Sequence, residues 1–249
     1  GSYSRLKKLW LKQVFSNPRD ATILGNAAEF FVVHDKGLSE DLLERARSLE
    51  TPDSNLCEQL AHHYALSNPT RAYQELKAAD DVVFYQRSRT ENVGHIDIIE
   101  LRHLFLLHKL AKLAFNAGEF DDARRYAMEA LEASETINAP GKALIDGLLV
   151  FYGNLILGRC VLKNGDVERA KRYLIAAGHT QGSPTLNSFG PNMSLAKELL
   201  EVGEKDAVLE FLRLCGMFWQ GGDKEKTLGE WAAEVRQGDI PDFGANLHY

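Results

Sequence analysis

Apolar residues recur at three- and four-residue spacings along almost the whole chain, and Gly, Pro and Asn mark the breaks between the periodic stretches. This pattern predicts an all-α protein in which helix exceeds roughly 60% of the residues, against a globular average of about one third. The breaks predict an opening helix, five pairs of helices and a closing helix. The predicted helices are 4–15; 21–33 with 39–49; 55–66 with 70–79; 97–117 with 120–135; 142–163 with 167–177; 192–202 with 205–216; and 224–236. Residues 80–94 are polar and aperiodic, which predicts either a surface loop or a disordered excursion between the second and third pairs.

Small residues occupy matching places in the five pairs, where two antiparallel helices would touch. These positions are Ala27, Ala61, Ala111, Gly158 and Ala196 in the first helices, and Ser39, Ala72, Ala123, Ala170 and Val208 in the second helices. Small side chains at a helix contact let the two axes approach to about 8–10 Å. The spacing therefore predicts five helical hairpins with these ten positions, the hairpin anchors, buried at the contacts.

The fullest copies of the pattern lie in the third and fourth pairs. Their residues are Leu107, Leu110, Ala111, Ala114, Gly118, Phe120, Ala123, Ala127 and Ala130, and then Leu157, Gly158, Val161, Gly165, Val167, Ala170, Leu174 and Ala177. This pattern resembles the tetratricopeptide repeat (TPR), and five degenerate copies extend over residues 17–216. The resemblance implies a right-handed α-solenoid of about five TPR-like hairpins in a single domain, 1–249. It also implies an N-terminal capping helix in 1–16, with a C-terminal capping helix and tail in 217–249.

The charge balance and the longest apolar stretch bear on possible partners. A formal net charge of −6 argues against a general attraction to nucleic acid. The stretch 143–157 is interrupted by Asp146, Gly147, Gly153 and Asn154. A membrane span needs about 18–20 predominantly apolar residues, so this stretch is interpreted as a buried helix rather than a span.

Three cysteines, Cys57, Cys160 and Cys215, are far apart and odd in number, which does not indicate a disulfide framework. They are predicted to be small, buried packing residues. Unpaired cysteines favour a soluble cytoplasmic protein. Residues 1–2 resemble the scar of a cleaved tag, so an exported protein whose signal was removed is also compatible with the sequence.

Motifs of enzymes and metal sites were sought and are mostly absent from the sequence. It contains no P-loop, no Gly-x-Ser-x-Gly nucleophile elbow and no His-Glu-x-x-His helix. Glu100 and His103 form a single Glu-x-x-His, half of a di-iron carboxylate motif. Because the second half and the further glutamates of such a site are missing, the pair is interpreted as part of a solvated helix face. His62 and His63 are adjacent and so point to different faces of a helix. The sequence therefore predicts a protein that is not an enzyme and uses no cofactor or metal.

The TPR resemblance also implies a binding surface. In tetratricopeptide arrays the residue that follows the small anchor of each first helix faces a concave groove. Here those residues are Ala28, His62, Lys112, Arg159 and Lys197, and the neighbouring groove positions are Phe115, Asn116, Tyr152, Asn154, Leu162 and Lys163. Three successive hairpins thus offer a cation in an acidic protein, which suggests a groove for an acidic peptide or protein segment. The carboxylate-clamp subfamily has asparagine where Lys112 stands, so binding of chaperone tails does not carry over.

Two other interpretations stay open. Cations are common on any exposed helix face, so the row could be an ordinary solvated surface. The protein would then be a structural or regulatory module that self-associates, or that serves a fused or partner catalytic domain, as such repeats do in many bacterial multidomain proteins.

Overall fold

The computed structural model describes residues 2–49, 54–87, 98–136 and 142–248. Helix makes up 81% of this part of the chain, and it contains no strand, so the predicted all-α fold class is confirmed. The α-helices are α1 Ser2–Ser16, α2 Ala21–Phe31, α3 Lys36–Leu49, α4 Ser54–Tyr64, α5 Pro69–Arg87, α6 Ile98–Ala117, α7 Phe120–Thr136, α8 Lys142–Lys163, α9 Val167–Gly178, α10 Pro184–Phe189, α11 Ser194–Glu201, α12 Lys205–Phe218 and α13 Lys224–Gln237. A 3-10 turn, Gly244–Leu247, follows them.

The chain forms two compact units, an N-terminal unit of residues 1–103 and a C-terminal unit of residues 104–249. In the N-terminal unit α2 packs on α3, and α4 packs on α5. In the C-terminal unit α8 packs between α7 and α9, while α12 packs on α9, α11 and α13. Within each unit, helices that are adjacent in sequence therefore pack as neighbours, which is the solenoid-like arrangement that the sequence predicts.

All ten hairpin anchors are buried, as predicted. Gly158 shows how tight the contacts are, because a Cβ at this position would lie 2.3 Å from Leu195 Cδ2 and 3.0 Å from Tyr173 Cβ. Ser39 adds a polar tie between helices, since its Oγ donates to the Ala28 carbonyl at 2.8 Å. The small residues selected from the sequence pattern therefore lie at buried positions of their helices.

Three turns in the C-terminal unit have the same hydrogen-bond pattern. They are centred on Gly118, Gly165 and Gly203, whose φ angles are +85°, +79° and +90°. In each turn the residue after the glycine donates its N–H back to a carbonyl five residues earlier, at 2.9–3.1 Å. This is the bond that satisfies a terminal helix carbonyl when glycine adopts the left-handed conformation. The unit therefore contains three copies of one hairpin: α6 with α7, α8 with α9, and α11 with α12.

Two segments differ from the sequence prediction. Helix α5 continues to Arg87, so residues 80–87 are helical rather than irregular, and residues 88–97 lie outside the described part of the chain. The helix continues because Ala79 and Val83 extend its buried stripe. Helix α10 was not predicted at all, although Ser183 caps it by accepting from the Leu186 N–H at 3.2 Å and Pro184 occupies its first turn.

Helix α8 is the central helix of the C-terminal core. Its segment Ile145–Lys163 is long and apolar enough to cross a membrane by length and composition, and 72% of that segment is buried inside the protein. Phe151 and Leu155 pack with Phe211 and Cys215 of α12 in one hydrophobic cluster. The predicted burial of this stretch is confirmed for the described residues, and so is the burial of all three cysteines, which are free thiols.

Enlarging a hairpin anchor is expected to destabilise the fold. Ala123 and Ala170 are 0% exposed, and inserting a larger side chain into such a contact costs about 1–3 kcal/mol. Ala123→Leu and Ala170→Leu should each lower the melting temperature followed by circular dichroism. Ala233→Leu, the same change on an exposed position of α13, should not. Parent-like melting of both anchor variants would contradict the packing described above.

Candidate functional site

Arg159, one of the predicted groove positions, contacts residues of two other first helices in the C-terminal unit. The guanidinium of Arg159, on α8, lies 4.0 Å from the ring centroid of Phe115 on α6. Its Nε and Nη2 donate to Glu198 of α11 at 2.9 and 2.6 Å. Lys197, beside Glu198, forms an ion pair with Glu201 one turn later. Arg159 thus contacts α6, which carries Lys112, and α11, which carries Lys197. We call these three residues, which follow the anchors of α6, α8 and α11, the cation face.

Lys112 differs from the other two cations of this face. Its side chain is half-buried, and its Nζ donates to the main-chain carbonyl of His248 at 3.0 Å. Burial, together with the nearby charges of Lys109 and Arg159, lowers the pKa of Lys112 to about 8. An ammonium in this situation gains from any oxygen acceptor placed on it.

The remaining predicted groove residues are distributed between surface and core. Tyr152 and Asn154 are inside the core rather than on a groove, because α8 is packed against neighbouring helices on several sides. Asn154 Nδ2 donates to the Val150 carbonyl within its own helix at 2.8 Å. Phe115 is buried as the platform under Arg159. The others are exposed or half-buried: Leu162 packs at the edge of the hydrophobic cluster, Lys163 lies over the Phe120 ring, Asn116 is exposed, and His62 is exposed on α4 of the N-terminal unit.

The segment 239–248, which we call the tail, follows α13 and is held against the C-terminal unit by its main chain. The Asn246 carbonyl accepts from the Met193 N–H at 2.8 Å. The Asn246 side-chain amide donates to the carbonyls of Pro191 at 2.9 Å and Phe189 at 3.3 Å. The Leu247 carbonyl accepts from Asn192 Nδ2 at 3.4 Å. With the Lys112 bond to His248, successive tail carbonyls are thus bound from the loop before α11 and from α6.

An aromatic side chain anchors the middle of the tail. Phe243 is 2% exposed, and its ring meets the ring of Trp231 edge to face with centroids 5.1 Å apart. Trp231 in turn stacks on Trp219 at 5.9 Å. Leu247 packs at the edge of the same hydrophobic cluster. The surface that contacts the tail, which we call the tail site, consists of Lys112, Phe189, Pro191, Asn192, Met193 and Trp231.

Sequence reasoning missed both the acids of the cation face and the tail site. Glu198 directly follows Lys197, so an acid at an adjoining groove position was visible in the sequence. Nothing in the sequence linked Asn192 to Asn246, because the two residues are far apart along the chain. Asn192 stands at the start of a predicted helix, and Asn246 lies beyond the last one. The Pro241–Asp242–Phe243 step was the one local sign that the chain turns back after α13 and buries an aromatic residue.

A second polar cluster lies in the N-terminal unit around Tyr64. The Tyr64 hydroxyl is hydrogen-bonded to carboxylates of Glu40 at 2.9 Å and Glu44 at 2.7 Å. Arg71 pairs with Glu44 and lies 4.2 Å from the Tyr64 ring centroid. Burial and the two carboxylates raise the pKa of Tyr64, and the Tyr64 hydrogen bond lowers the pKa of Glu40. Each group is satisfied by its neighbours, so the cluster ties α3, α4 and α5 together.

No group of three or more His, Cys, Asp or Glu residues in the described part of the chain is placed to hold a metal ion. The Glu-x-x-His sequence does not alter this, because His103 Nδ1 lies 2.6 Å from Asp80 Oδ1 in an ion-pair contact. The side chain of Glu100 lies outside the described residues.

Comparison with known proteins assigns no family to the chain. No protein-family model matches the sequence, and no curated protein matches it.

Proposed function

We propose that the protein is a non-enzymatic helical scaffold that binds a peptide segment of a protein partner on the cation face, with a preference for acidic side chains. The observation that supports this most directly is that each of the three cations already holds an oxygen ligand. Lys112 holds a main-chain carbonyl of a non-helical segment, whereas Arg159 and Lys197 hold carboxylates. Main-chain carbonyls and carboxylates are the two groups that an acidic peptide offers.

Binding on this face works by exchange of partners. The carboxylates of a peptide replace those of Glu198 and Glu201, so each new ion pair is formed at the expense of an existing one. Ion pairs between exposed groups contribute about 0.2–1 kcal/mol. Three such contacts give modest affinity that falls as salt is added, because charges near the surface are screened over a Debye length of about 8 Å.

Removing the three positive charges is expected to weaken the binding of acidic peptides by roughly tenfold or more. The variant carries Lys112→Gln, Arg159→Gln and Lys197→Gln, because glutamine can still donate to Glu198 whereas glutamate would repel it. Displayed random peptides are first selected against the immobilised full chain. The selected acidic peptides are then labelled, and their affinities for parent and variant are measured by fluorescence anisotropy at low and near-physiological salt.

A charge-matched control is available on the second helices. Arg125, Arg169 and Arg213, one each on α7, α9 and α12, are 53%, 54% and 60% exposed and pair with acids three residues earlier. Changing all three to glutamine makes the same change in net charge away from the cation face, and peptide affinity should stay at the parent level. Equal losses in the two triple variants would contradict the cation face as the binding surface.

The alternative proposal, a structural module that self-associates, is supported by the apolar surface of α1. Leu6, Leu9 and Phe15 are 45%, 53% and 86% exposed, although α1 is otherwise docked on α2. Selection that enriches no peptide, together with a dimer in sedimentation analysis that Phe15→Ser dissociates, would favour this second function over the first.

A further inference from the structure

We propose that residues 241–248 occupy, in cis, the surface by which this protein binds its peptide, and that the partner segment carries the same pattern as the tail. The pattern is an aromatic residue followed by asparagine three positions later and leucine four positions later, as in Phe243, Asn246 and Leu247. This inference rests on the proposed function, because it identifies the ligand and the regulation of that binding surface.

Asn246 makes the most specific contacts with the tail site. Its side-chain amide donates to two carbonyls, and its own main-chain carbonyl accepts from Met193. Aspartate at this position could not donate to either carbonyl and would be repelled by both. The site therefore selects asparagine over aspartate. Gly244 and Ala245 are exposed and have no polar side chain that the tail site could bind, so the pattern leaves these two positions open.

Phe243 and Leu247 supply the apolar part of the pattern. A buried aromatic side chain packed on tryptophan is the kind of contact that dominates peptide and protein interfaces. Leu247 adds a smaller apolar contact while its carbonyl is held by Asn192. Only three residues separate the two, and the single 3-10 turn over Gly244–Leu247 brings both side chains onto the site.

The site is organised by contacts that do not involve the tail. Asn192 Oδ1 accepts from the N–H of Ser194 at 2.9 Å and from its hydroxyl at 2.6 Å. These bonds fix the amide of Asn192, whose Nδ2 donates to the Leu247 carbonyl. Gly190 has φ +88°, and a Cβ there would lie 2.6 Å from the Trp219 ring. The loop that presents the Phe189 and Pro191 carbonyls is thus held in place by Trp219 from behind.

The tail has the properties of a displaceable occupant. It leaves α13 through Gly238, in the left-handed conformation, and residues 236–240 are exposed. A segment tethered by a short linker competes at an effective concentration of roughly millimolar. A partner segment must therefore displace it.

The direction of the tail connects its pattern to the preference for acids. The tail runs from Trp231 towards Lys112, and Arg159 is the next cation across the Phe115 ring. Arg159 is close enough to Lys112 for its charge to act on that ammonium, so acidic residues of a ligand that continues past the position of His248 would meet both cations. The partner segment is therefore a Phe-x-x-Asn-Leu sequence with acidic residues on its C-terminal side.

The test uses the full chain and a fluorescein-labelled synthetic peptide with the sequence of residues 239–248. Phe243→Ala and Asn246→Ala in the protein weaken the cis tail by two different routes, one by removing an apolar anchor and one by removing two hydrogen bonds. Both variants should bind the labelled peptide at least about tenfold more tightly than the parent. Ile240→Ala, an apolar truncation at a tail residue that is 42% exposed, should bind like the parent.

A second arm tests the pattern itself. A labelled peptide carrying Phe243→Ala should lose binding to both tail variants, and one extended by three aspartates should gain affinity that the Arg159→Gln change removes. If the tail variants bind the peptide no better than the parent, or bind the Phe243→Ala peptide equally well, the inference is wrong. Peptides that come from the random selection and bind without competing with the tail peptide would leave the proposed function standing while overturning this inference.

Discussion

Gly147→Ala is expected to destabilise the C-terminal unit by roughly 3 kcal/mol or more, the largest effect expected for alanine at any described glycine. A Cβ at Gly147 would lie 1.6 Å from the Gly182 carbonyl oxygen and 2.4 Å from its carbonyl carbon. These atoms belong to backbone, so no side-chain rotation relieves the overlap. Thr180 fixes the loop further, because its Oγ1 donates to the Gly147 carbonyl at 2.8 Å and accepts from the Gly182 N–H at 3.2 Å.

The matched control is Gly229→Ala in the middle of α13. A Cβ there meets nothing within 4 Å, and alanine is favoured over glycine inside a helix by about 0.5–1 kcal/mol. The same substitution should thus lower the midpoint of urea unfolding at Gly147 and raise it slightly at Gly229. A Gly147→Ala protein as stable as its parent would show that the loop 179–183 does not cross α8 as described.

The helix contacts could be predicted from the sequence because small residues are informative at short range. Ala111, Ala123, Gly158 and Ala170 recur at helical spacing, and helices of one hairpin are neighbours in both sequence and space, so the pattern fixes which faces meet. The same reasoning identified Gly118 and Gly165 as turn residues. In this part of the fold, the small residues that permit the helix contacts are also the residues that form the recognisable sequence pattern.

The candidate site was only half predictable, because its contacts join residues that are distant in sequence. The pattern placed Lys112 and Arg159 on one face, but it could not say what each cation contacts. The partner of Arg159 is Glu198 on a helix of another hairpin, and the acceptor of Lys112 is a carbonyl of the tail. Such contacts between distant, non-periodic residues leave no repeating signature. Tyr152 failed as a groove residue because α8 is packed on several sides, which periodicity taken one helix at a time does not reveal.

Helix α5 illustrates a different limit. Asp80, Asp81 and the polar residues beyond them favour a loop by propensity, yet α5 continues to Arg87. Tertiary packing of Ala79 and Val83 outweighs the weak helix propensity of the aspartates. Composition therefore ended the predicted helix too early, at residue 79. The four-residue spacing of Ala79 and Val83 indicates that the helix continues.

Lys112→Met is expected to stabilise the protein at neutral pH and to weaken the tail site at the same time. Burial and the charges of Lys109 and Arg159 lower the pKa of Lys112 to about 8, from an ordinary value of 10.5. The folded chain therefore binds fewer protons than the unfolded chain between these two pH values, and the parent gains stability as pH rises through this window. Below about pH 8 the full penalty of burying the charge applies. Methionine has a similar length and no charge, so it removes a penalty of the order of 1–3 kcal/mol.

The advantage of the Lys112→Met variant should thus be largest at pH 7 and should shrink as pH rises towards 10. Urea unfolding of parent and variant at both pH values measures this difference, in which the titration of all other groups cancels. Lys226→Met, at a position that is 71% exposed, should show no advantage at either pH.

In the Lys112→Met variant the His248 carbonyl loses its hydrogen-bond donor. A tail peptide supplied in trans should therefore bind more weakly to the double variant Phe243→Ala, Lys112→Met than to Phe243→Ala alone. Opposite changes in stability and in binding are the mark of a residue kept for its ligand rather than for the fold. A variant that loses stability at pH 7 would instead assign Lys112 to the architecture of the C-terminal unit.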